Sequence, residues 1–564
     1  MFPPPILQKV KPRCVNLNRF LFSSVLFSLT LGATSGISFA ASPASPLQPS
    51  SQLRVVTQLL PPAKDGTAYQ VSLVAMGGVK PYTWSVTSGA LPEGLTLGAE
   101  TGVLSGVTNQ VGDFSFQVTV KDSESNRANN TLSMIALSNV TTAEEAVTPT
   151  SFGFQCGIGD TEECEGSGWD QIVWPDTQAQ PGTIRLHDSG TSWSDLDQGN
   201  GVYSWTVLDN WLDLIAQHQP VAAIETFTWV PCYLVPTNKC LAPPTAPSGT
   251  NTPPTDLTAN GSAAFNAFVT AFAQHCSPHN NCVKNLIKSY EMWNEWDLQF
   301  HWTGSMQQVY QMVKPAVAII RANVPNAVIL MPSSTAYSDT GLGYLTDFRN
   351  WMNYETANGR ISDWVNWHVY LTTGHTTTNT PEDQWNKFIV GYLNTQASTP
   401  GWETTPWTNT ETNFNGTPPP GLNYSCPSAQ FTPADCTGQI VRWQLLHASN
   451  SGSGLGWYKW MYTIGQNPQY ETAYKFMMQY LAGGKFPTPC SSNNATTPVW
   501  TCNFKEGNGA TALWVWTTSE SGTNFVVPQG FTDYMNLTGI KTAVVGGQQI
   551  IISVEPVMLQ AAGQ

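Results

Sequence analysis

The sequence predicts a multidomain chain in which a (β/α)8 TIM barrel is flanked by two small β-sandwiches. Three observations carry that expectation. Between about residues 148 and 486, short apolar runs alternate with amphipathic helical runs, as in a parallel sheet covered by helices. Upstream, from Leu53, runs of period two are separated by turn signals. Downstream, from about Pro487, the period-two pattern returns. At 564 residues the chain has room for several cores.

Residues 1–40 read as a signal peptide. Lys9, Lys11, Arg13 and Arg19 form a basic region, Phe20 to Ile37 is largely apolar, and Ser38-Phe39-Ala40 offers a small-x-small cleavage site. The apolar stretch is short and semi-polar for an anchor, and no other stretch is long and apolar enough to span a bilayer. The expectation is a secreted or cell-surface protein, cut after about Ala40, with no transmembrane segment in the mature chain. The cysteines agree with export. Of the eleven, Cys14 leaves with the signal. The others fall into neighbours, Cys156/Cys164, Cys232/Cys240, Cys276/Cys282, Cys426/Cys436 and Cys490/Cys502, and read as local disulfide staples. Zinc is disfavoured, because no Cys-x2-Cys pair exists and no His clusters beside them.

Residues 41–52, rich in Ser and Pro, read as a linker. Residues 53–140 carry alternating runs such as Tyr82-Thr83-Trp84-Ser85-Val86 and Phe114-Ser115-Phe116-Gln117-Val118, the pattern of a small sandwich. The run Gly89-Ala90-Leu91-Pro92-Glu93-Gly94-Leu95, then Thr101-Gly102-Val103-Leu104-Ser105-Gly106, then Val120-Lys121-Asp122-Ser123, resembles the Ig-like domains attached to bacterial surface and secreted enzymes. That resemblance implies a spacer or adhesion module without catalysis.

Eight strand candidates follow: Ser151–Gln155, Gly182–His187, Val221–Trp229, Lys288–Trp293, Ala327–Met331, Trp364–Tyr370, Trp407–Thr412 and Gly454–Tyr458. Helical runs separate most of them, including Val207 to Ile215, Ala264 to Ala273, Met306 to Ala322, Leu345 to Met352 and Ile440 to Ala448. Together they fit a (β/α)8 barrel over 148–486. An open doubly wound sheet is the runner-up, although no Gly-rich phosphate turn follows the first strand. Residues 487–564, with Ala512-Leu513-Trp514-Val515-Trp516 and Gln549-Ile550-Ile551-Ile552, read as the C-terminal β-sandwich.

Composition narrows the partner. Charged residues are 11% and the formal net charge is −14, which argues against nucleic acid. The 22 Trp, with few charges, suit a neutral polar partner such as an oligo- or polysaccharide. Barrels place chemistry at the C-terminal ends of their strands. There the second strand offers Arg185 and His187, the third Trp229, the fourth Trp293-Asn294-Glu295, the sixth His368 and Tyr370, the seventh Glu411, and the eighth Trp457 and Trp460. Two glutamates at the ends of strands four and seven face each other across a closed ring. Glycoside hydrolysis needs such a pair, one carboxyl to protonate the leaving oxygen and one ionised to attack. A separation of about 5 Å suits a retaining mechanism. Each residue also has a structural reading: Arg185 as a buried ion-pair partner, His187 and His368 as satisfied core polar groups, and Trp229, Trp457 and Trp460 as packing. Glu291 competes with Glu295 but lies deeper on the same strand face, and Glu403 competes with Glu411 from the strand's entry end.

These residues resemble the retaining glycoside hydrolases of clan A, the 4/7 superfamily, over roughly 150–560. Within it, Arg185-Leu186-His187-Asp188 followed by Tyr203-Ser204-Trp205-Thr206-Val207-Leu208-Asp209 is most similar to glycoside hydrolase family 39, the β-xylosidase and α-iduronidase group. The resemblance implies Glu295 as acid/base and Glu411 as nucleophile. It implies Asn294 at the sugar 2-hydroxyl, Arg185 supporting the nucleophile, and His368 and Tyr370 lining the site. No metal or organic cofactor is expected. Two other readings stand beside a β-xylosidase-like enzyme. One is an endo-acting polysaccharide hydrolase of another clan A family, and the other a non-catalytic carbohydrate-binding or adhesion protein. Oligomeric state is left open.

Overall fold

The computed structural model describes residues 53–561, except 56, 58–59, 61–62, 65, 67, 111, 138–146, 149–150, 156–181, 237–238, 241–248, 337–342, 372–379, 415–431, 451, 458–466 and 494–496. The expected signal peptide and linker, and Trp460, lie outside the described residues.

The N-terminal region is antiparallel except at one edge. A four-stranded sheet (Ala63–Lys64, Arg127–Leu137, Gly112–Lys121, Thr83–Gly89) faces a three-stranded one (Ala68–Ser72, Val103–Val107, Leu95–Leu97). Trp84, Leu104, Phe116, Val118, Val120 and Leu132 fill the space between them. These are alternate residues along their strands, so the period-two pattern places them on one face. Asp122, singled out in the sequence motif, accepts the N–H groups of Val79 at 3.0 Å and Asn126 at 2.8 Å and so pins the strand-end turn.

The central region contains a ring of parallel pairings. Its strands are β1 (Phe152–Gln155), β2 (Thr183–Leu186), β3 (Ala222–Thr226), β4 (Ile287–Glu291), β5 (Val328–Leu330), β6 (Val365–His368), β7 (Trp407–Thr412) and β8 (Gly452–Trp457). They pair in order from β1 to β5, then from β6 to β8, and β8 returns to β1. The gap between β5 and β6 is bridged by Leu330 beside Trp364 and by Ser334–Thr335, which also runs parallel to β6. Every observed strand overlaps the run expected for it.

Helices cover the outside of the ring: α1 (Thr206–Gln217), α2 (Ala263–Gln274), α3 (Met306–Asn323), α4 (Tyr344–Asn358), α5 (Val390–Ala397), α6 (Pro433–Ser449) and α7 (Pro468–Leu481). On α3 the N-cap Ser305 and Gln308 form a capping box, and Val309, Met312, Val313, Ala316, Val317 and Ile320 form one buried stripe. Full burial of each larger side chain contributes roughly 1.5–3 kcal/mol, so this stripe fixes the helix against the ring more than propensity does. No helix among the described residues is long and apolar enough to cross a membrane.

The C-terminal region pairs a six-stranded sheet with a two-stranded one around Leu513, Val515, Ile550, Ile552 and Leu559. The other face of Thr511–Thr517 carries Trp514 and Trp516 into the large central core, and Trp516 donates to Glu382 at 2.7 Å. Close approach of the two regions requires Gly438 on α6, because a Cβ there would stand 2.2 Å from the Val554 carbonyl.

Three of the five expected disulfides are formed among the described residues: Cys232–Cys240, Cys276–Cys282 and Cys490–Cys502. The other two expected pairings are not among them. Cys156 and Cys164 both lie outside the described residues, and so does Cys426, the expected partner of Cys436. Cys436 itself is buried in the first turn of α6 and is disulfide-bonded.

Candidate active site

β4 supplies two glutamates with different surroundings. Glu291 is the last strand residue and is fully buried. Its Oε2 accepts Arg185 Nε at 2.8 Å, Thr226 Oγ1 at 3.1 Å and Thr410 Oγ1 at 3.2 Å. The deeper position expected for it is therefore the floor of the ring. Burial opposes its charge, but Arg185 and His368 outweigh burial and hold its carboxyl well below the usual range.

Glu295 lies beyond the strand, where the backbone turns into the left-handed region at φ 44° and its N–H donates to Ser333 Oγ at 2.9 Å. Asp188 (φ 52°) and Trp229 (φ 59°) adopt the same conformation just past β2 and β3. Left-handed backbone costs a non-glycine residue roughly 1–3 kcal/mol. The conformation recurs at three successive strand ends.

Arg185 organises the floor and the mouth together. From β2 it donates to Gln155 at 2.6 Å, Glu291 and Glu411 at 2.8 Å, and Asn294 Oδ1 at 2.7 Å. Glu411 also accepts the Tyr370 hydroxyl. A bulge explains how β7 delivers Glu411. Trp367 pairs with Asn409 and His368 with Glu411, so Thr410 is the extra residue. Thr410 can then reach Glu291 and Asn366 below while its neighbour Glu411 reaches Arg185 above.

Glu295 and Glu411 meet across the mouth. One carboxylate oxygen of each and one ring nitrogen of His368 lie within 4.8 Å of one another. His368 Nδ1 is 2.7 Å from Glu295 Oε1, and its Nε2 is 3.1 Å from Thr410 Oγ1. Burial lowers the imidazole's proton affinity, but Glu411, Glu291 and Glu295 outweigh it and push His368 up to about 9. Glu295 is held well below the usual range, because hydrogen bonds to His301 and His368 outweigh its own burial. Both shifts favour a protonated His368 hydrogen-bonded to an ionised Glu295. The three donors could geometrically surround a cation. Arg185 already occupies Glu411 Oε2, and His368 and His301 occupy the two oxygens of Glu295, so the cluster as it stands is ion-paired.

The remaining expected residues are placed as follows. His187 is buried, with Nδ1 3.1 Å from Gln155 Nε2 and 4.0 Å from Glu411 Oε2. Burial and then Arg185 lower it to about 3, so it is neutral. Asn294 is fully buried, its carbonyl on Arg185 and its amide 3.3 Å from the His301 ring. Trp229 is only 2% exposed and packs edge-on against Phe300 and tilted against His301, so in this state it offers no open sugar platform. The exposed aromatic beside it is Phe300, at 58%. The backbone of Trp457 pairs with Thr412 at the end of β7. Three contributors were not foreseen: His301, Ser333 and Gln155. His301 follows Glu295 in Asp297-Leu298-Gln299-Phe300-His301, a loop with no periodicity to mark it.

Residues 51–136 match the family described as "Putative Ig domain". No curated protein matches this sequence. Among solved structures, the chain is similar to a family 39 glycoside hydrolase from Bacteroides cellulosilyticus WH2, with TM-score 0.49 and 13% identity, covering 90% of this chain and 100% of that one. It is also similar to a glucosidase from Croceicoccus marinus, with TM-score 0.46 and 12% identity, covering 75% and 98% of the two chains.

Proposed function

We propose that this chain is a secreted retaining glycoside hydrolase, β-xylosidase-like or related, whose parallel ring is the β-layer of a (β/α)8 barrel. The observation that carries the reading is the Glu295–Glu411 pair, with carboxylate oxygens within 4.8 Å across the mouth. That spacing is nearer the roughly 5–5.5 Å between the carboxyl groups of retaining enzymes than the roughly 6.5–9.5 Å of inverting ones, and supports direct attack. Glu411 attacks the anomeric carbon while Arg185 and the Tyr370 hydroxyl hold its oxygens. Glu295 relays the proton of His368 Nδ1, 2.7 Å away, to the departing oxygen and is left ionised, and the proton it later takes from water returns to His368. Water then enters, Glu295 takes its proton, and the glycosyl-enzyme is released. The disulfides support an exported protein.

The test is a panel of aryl glycosides and polysaccharides, with product configuration read by NMR. Retention is expected, and product sizes from a polymer separate exo from endo action. Glu411→Ala and Glu295→Ala should each lose several orders of magnitude in turnover, and azide should rescue Glu411→Ala with inverted product. Near-normal turnover in either variant sinks the assignment. Binding without hydrolysis across the whole panel would point instead to a carbohydrate-binding protein.

A further inference from the structure

Glu295 is clamped by two imidazoles, one on each oxygen. His368 takes Oε1 from β6, and His301 takes Oε2 at 2.9 Å from the loop that follows β4. His301 is itself tightly held. Its ring lies 5.4 Å from Trp229 and 4.9 Å, edge-on, from Phe300, with His187 at 6.3 Å. Its backbone N–H donates to the Leu298 carbonyl at 3.0 Å, and its own carbonyl accepts Trp293 Nε1 at 3.4 Å. The residue is 8% exposed, so the contact with Glu295 is a fixed part of the mouth.

We propose that His301 is a positioning residue for Glu295, fixing the orientation of the carboxylate and favouring its ionised form by donating to Oε2. Two consequences follow from the geometry. With both oxygens engaged, the carboxylate cannot rotate between rotamers as the leaving group arrives. A hydrogen bond to the charged form also favours ionisation, which keeps the resting proton on His368. The groups that face Glu295 are His301 on its own loop, His368 on β6, Glu411 on β7, Arg185 on β2, Glu291 below it on β4, and Asp297 two residues on. Of these, His301 and His368 alone touch the carboxylate among the described residues. Removing His301 deletes one of the two hydrogen bonds to the ionised carboxylate while its burial and the negative charges of Glu411 and Glu291 remain, so the Glu295 midpoint should rise.

The contact is independent of any substrate, whereas its effect on turnover rests on the glycosidase reading. The full chain is labelled with carboxyl-13C glutamate, the Glu295 signal is assigned with Glu295→Gln, and the signal is titrated through the acid range. In His301→Phe the midpoint should rise by roughly one pH unit or more, with a smaller rise in His301→Gln, which keeps a neutral donor. The same ordering serves if His301→Phe does not fold, because His301→Gln then carries the comparison with wild type. An unchanged midpoint in a folded variant overturns the proposal. On an aryl glycoside substrate, the alkaline limb of kcat/KM should move to higher pH in His301→Phe. A loss of kcat at all pH with the limb unmoved would assign His301 a merely structural role and also overturn the proposal. If the carboxyl midpoint moves while wild type hydrolyses no glycoside, the role of His301 stands and the glycosidase reading falls.

Discussion

Glu291 and Glu295 are four residues apart on one strand and its exit, yet they inhabit different regions. Glu291 has no exposed surface and sits among Arg185, Thr226 and Thr410. Glu295 is 8% exposed and sits between two histidines at the mouth. Both are ionised, but for different reasons: Arg185 offsets the cost of burial for the first, and two imidazoles offset it for the second. The difference teaches that depth in the ring assigns the role. A carboxylate locked by a guanidinium below the mouth supports the arginine, whereas one held by imidazoles at the mouth can exchange protons with a ligand.

A pair of isosteric substitutions breaks this comparison most sharply. Glu295→Gln should lose several orders of magnitude in kcat on an aryl glycoside while the chemical-denaturation midpoint stays near wild type. Glu291→Gln should leave Arg185 with Glu411 as its remaining carboxylate partner and lower stability by about 1–3 kcal/mol, read from the same denaturation curves. Equal stability losses in the two variants would mean that floor and mouth are one network without the division drawn above.

Tyr370→Phe tests the mouth alone. The lost donor to Glu411 is a hydrogen bond to a charged group, worth about 1.5–3 kcal/mol, so kcat/KM should fall by roughly tenfold to a hundredfold with little change in melting temperature. The opposite end of the ring offers a control. The Cys276–Cys282 loop precedes β4 and clamps α1, with Ser277 and Asn281 each donating to Asp213 at 2.7 Å. Replacing both cysteines by serine should cost about 2 kcal/mol or less for so short a loop, leaving kcat unchanged.

The last expected effect is a pH dependence. His368 is raised from an unfolded value of about 6.5 to about 9. Its charge therefore stabilises the fold fully below about pH 6.5, and the contribution is lost as pH rises through 9. A melting-temperature difference between wild type and His368→Gln that shrinks over that window would match. A difference constant across it would remove His368 as the resting proton carrier.

Much of this protein was legible in one dimension because its signals are local. Period-two runs and amphipathic stripes such as that of α3 depend on near neighbours only. The order of strands then placed Glu295 and Glu411 at the fourth and seventh positions. His301, Ser333 and the Trp229 packing were not legible, because each depends on how a loop without periodicity lies over the mouth.

The sequence by itself determined which residues could form strands, which face of each helix is buried, and which two glutamates stand at the exits of the fourth and seventh strands. Tertiary structure alone decided the rest. Only ring closure brings Arg185 within 2.8 Å of both Glu291 and Glu411, positions 106 and 226 residues away along the chain. Only the bulge at Thr410 lets adjacent residues of β7 serve the floor and the mouth. Only the left-handed turn at Glu295 hands its carboxylate to His368 and His301. The physical reason is that charge is assigned by surroundings, and most of the surroundings of these buried carboxylates come from strands other than their own.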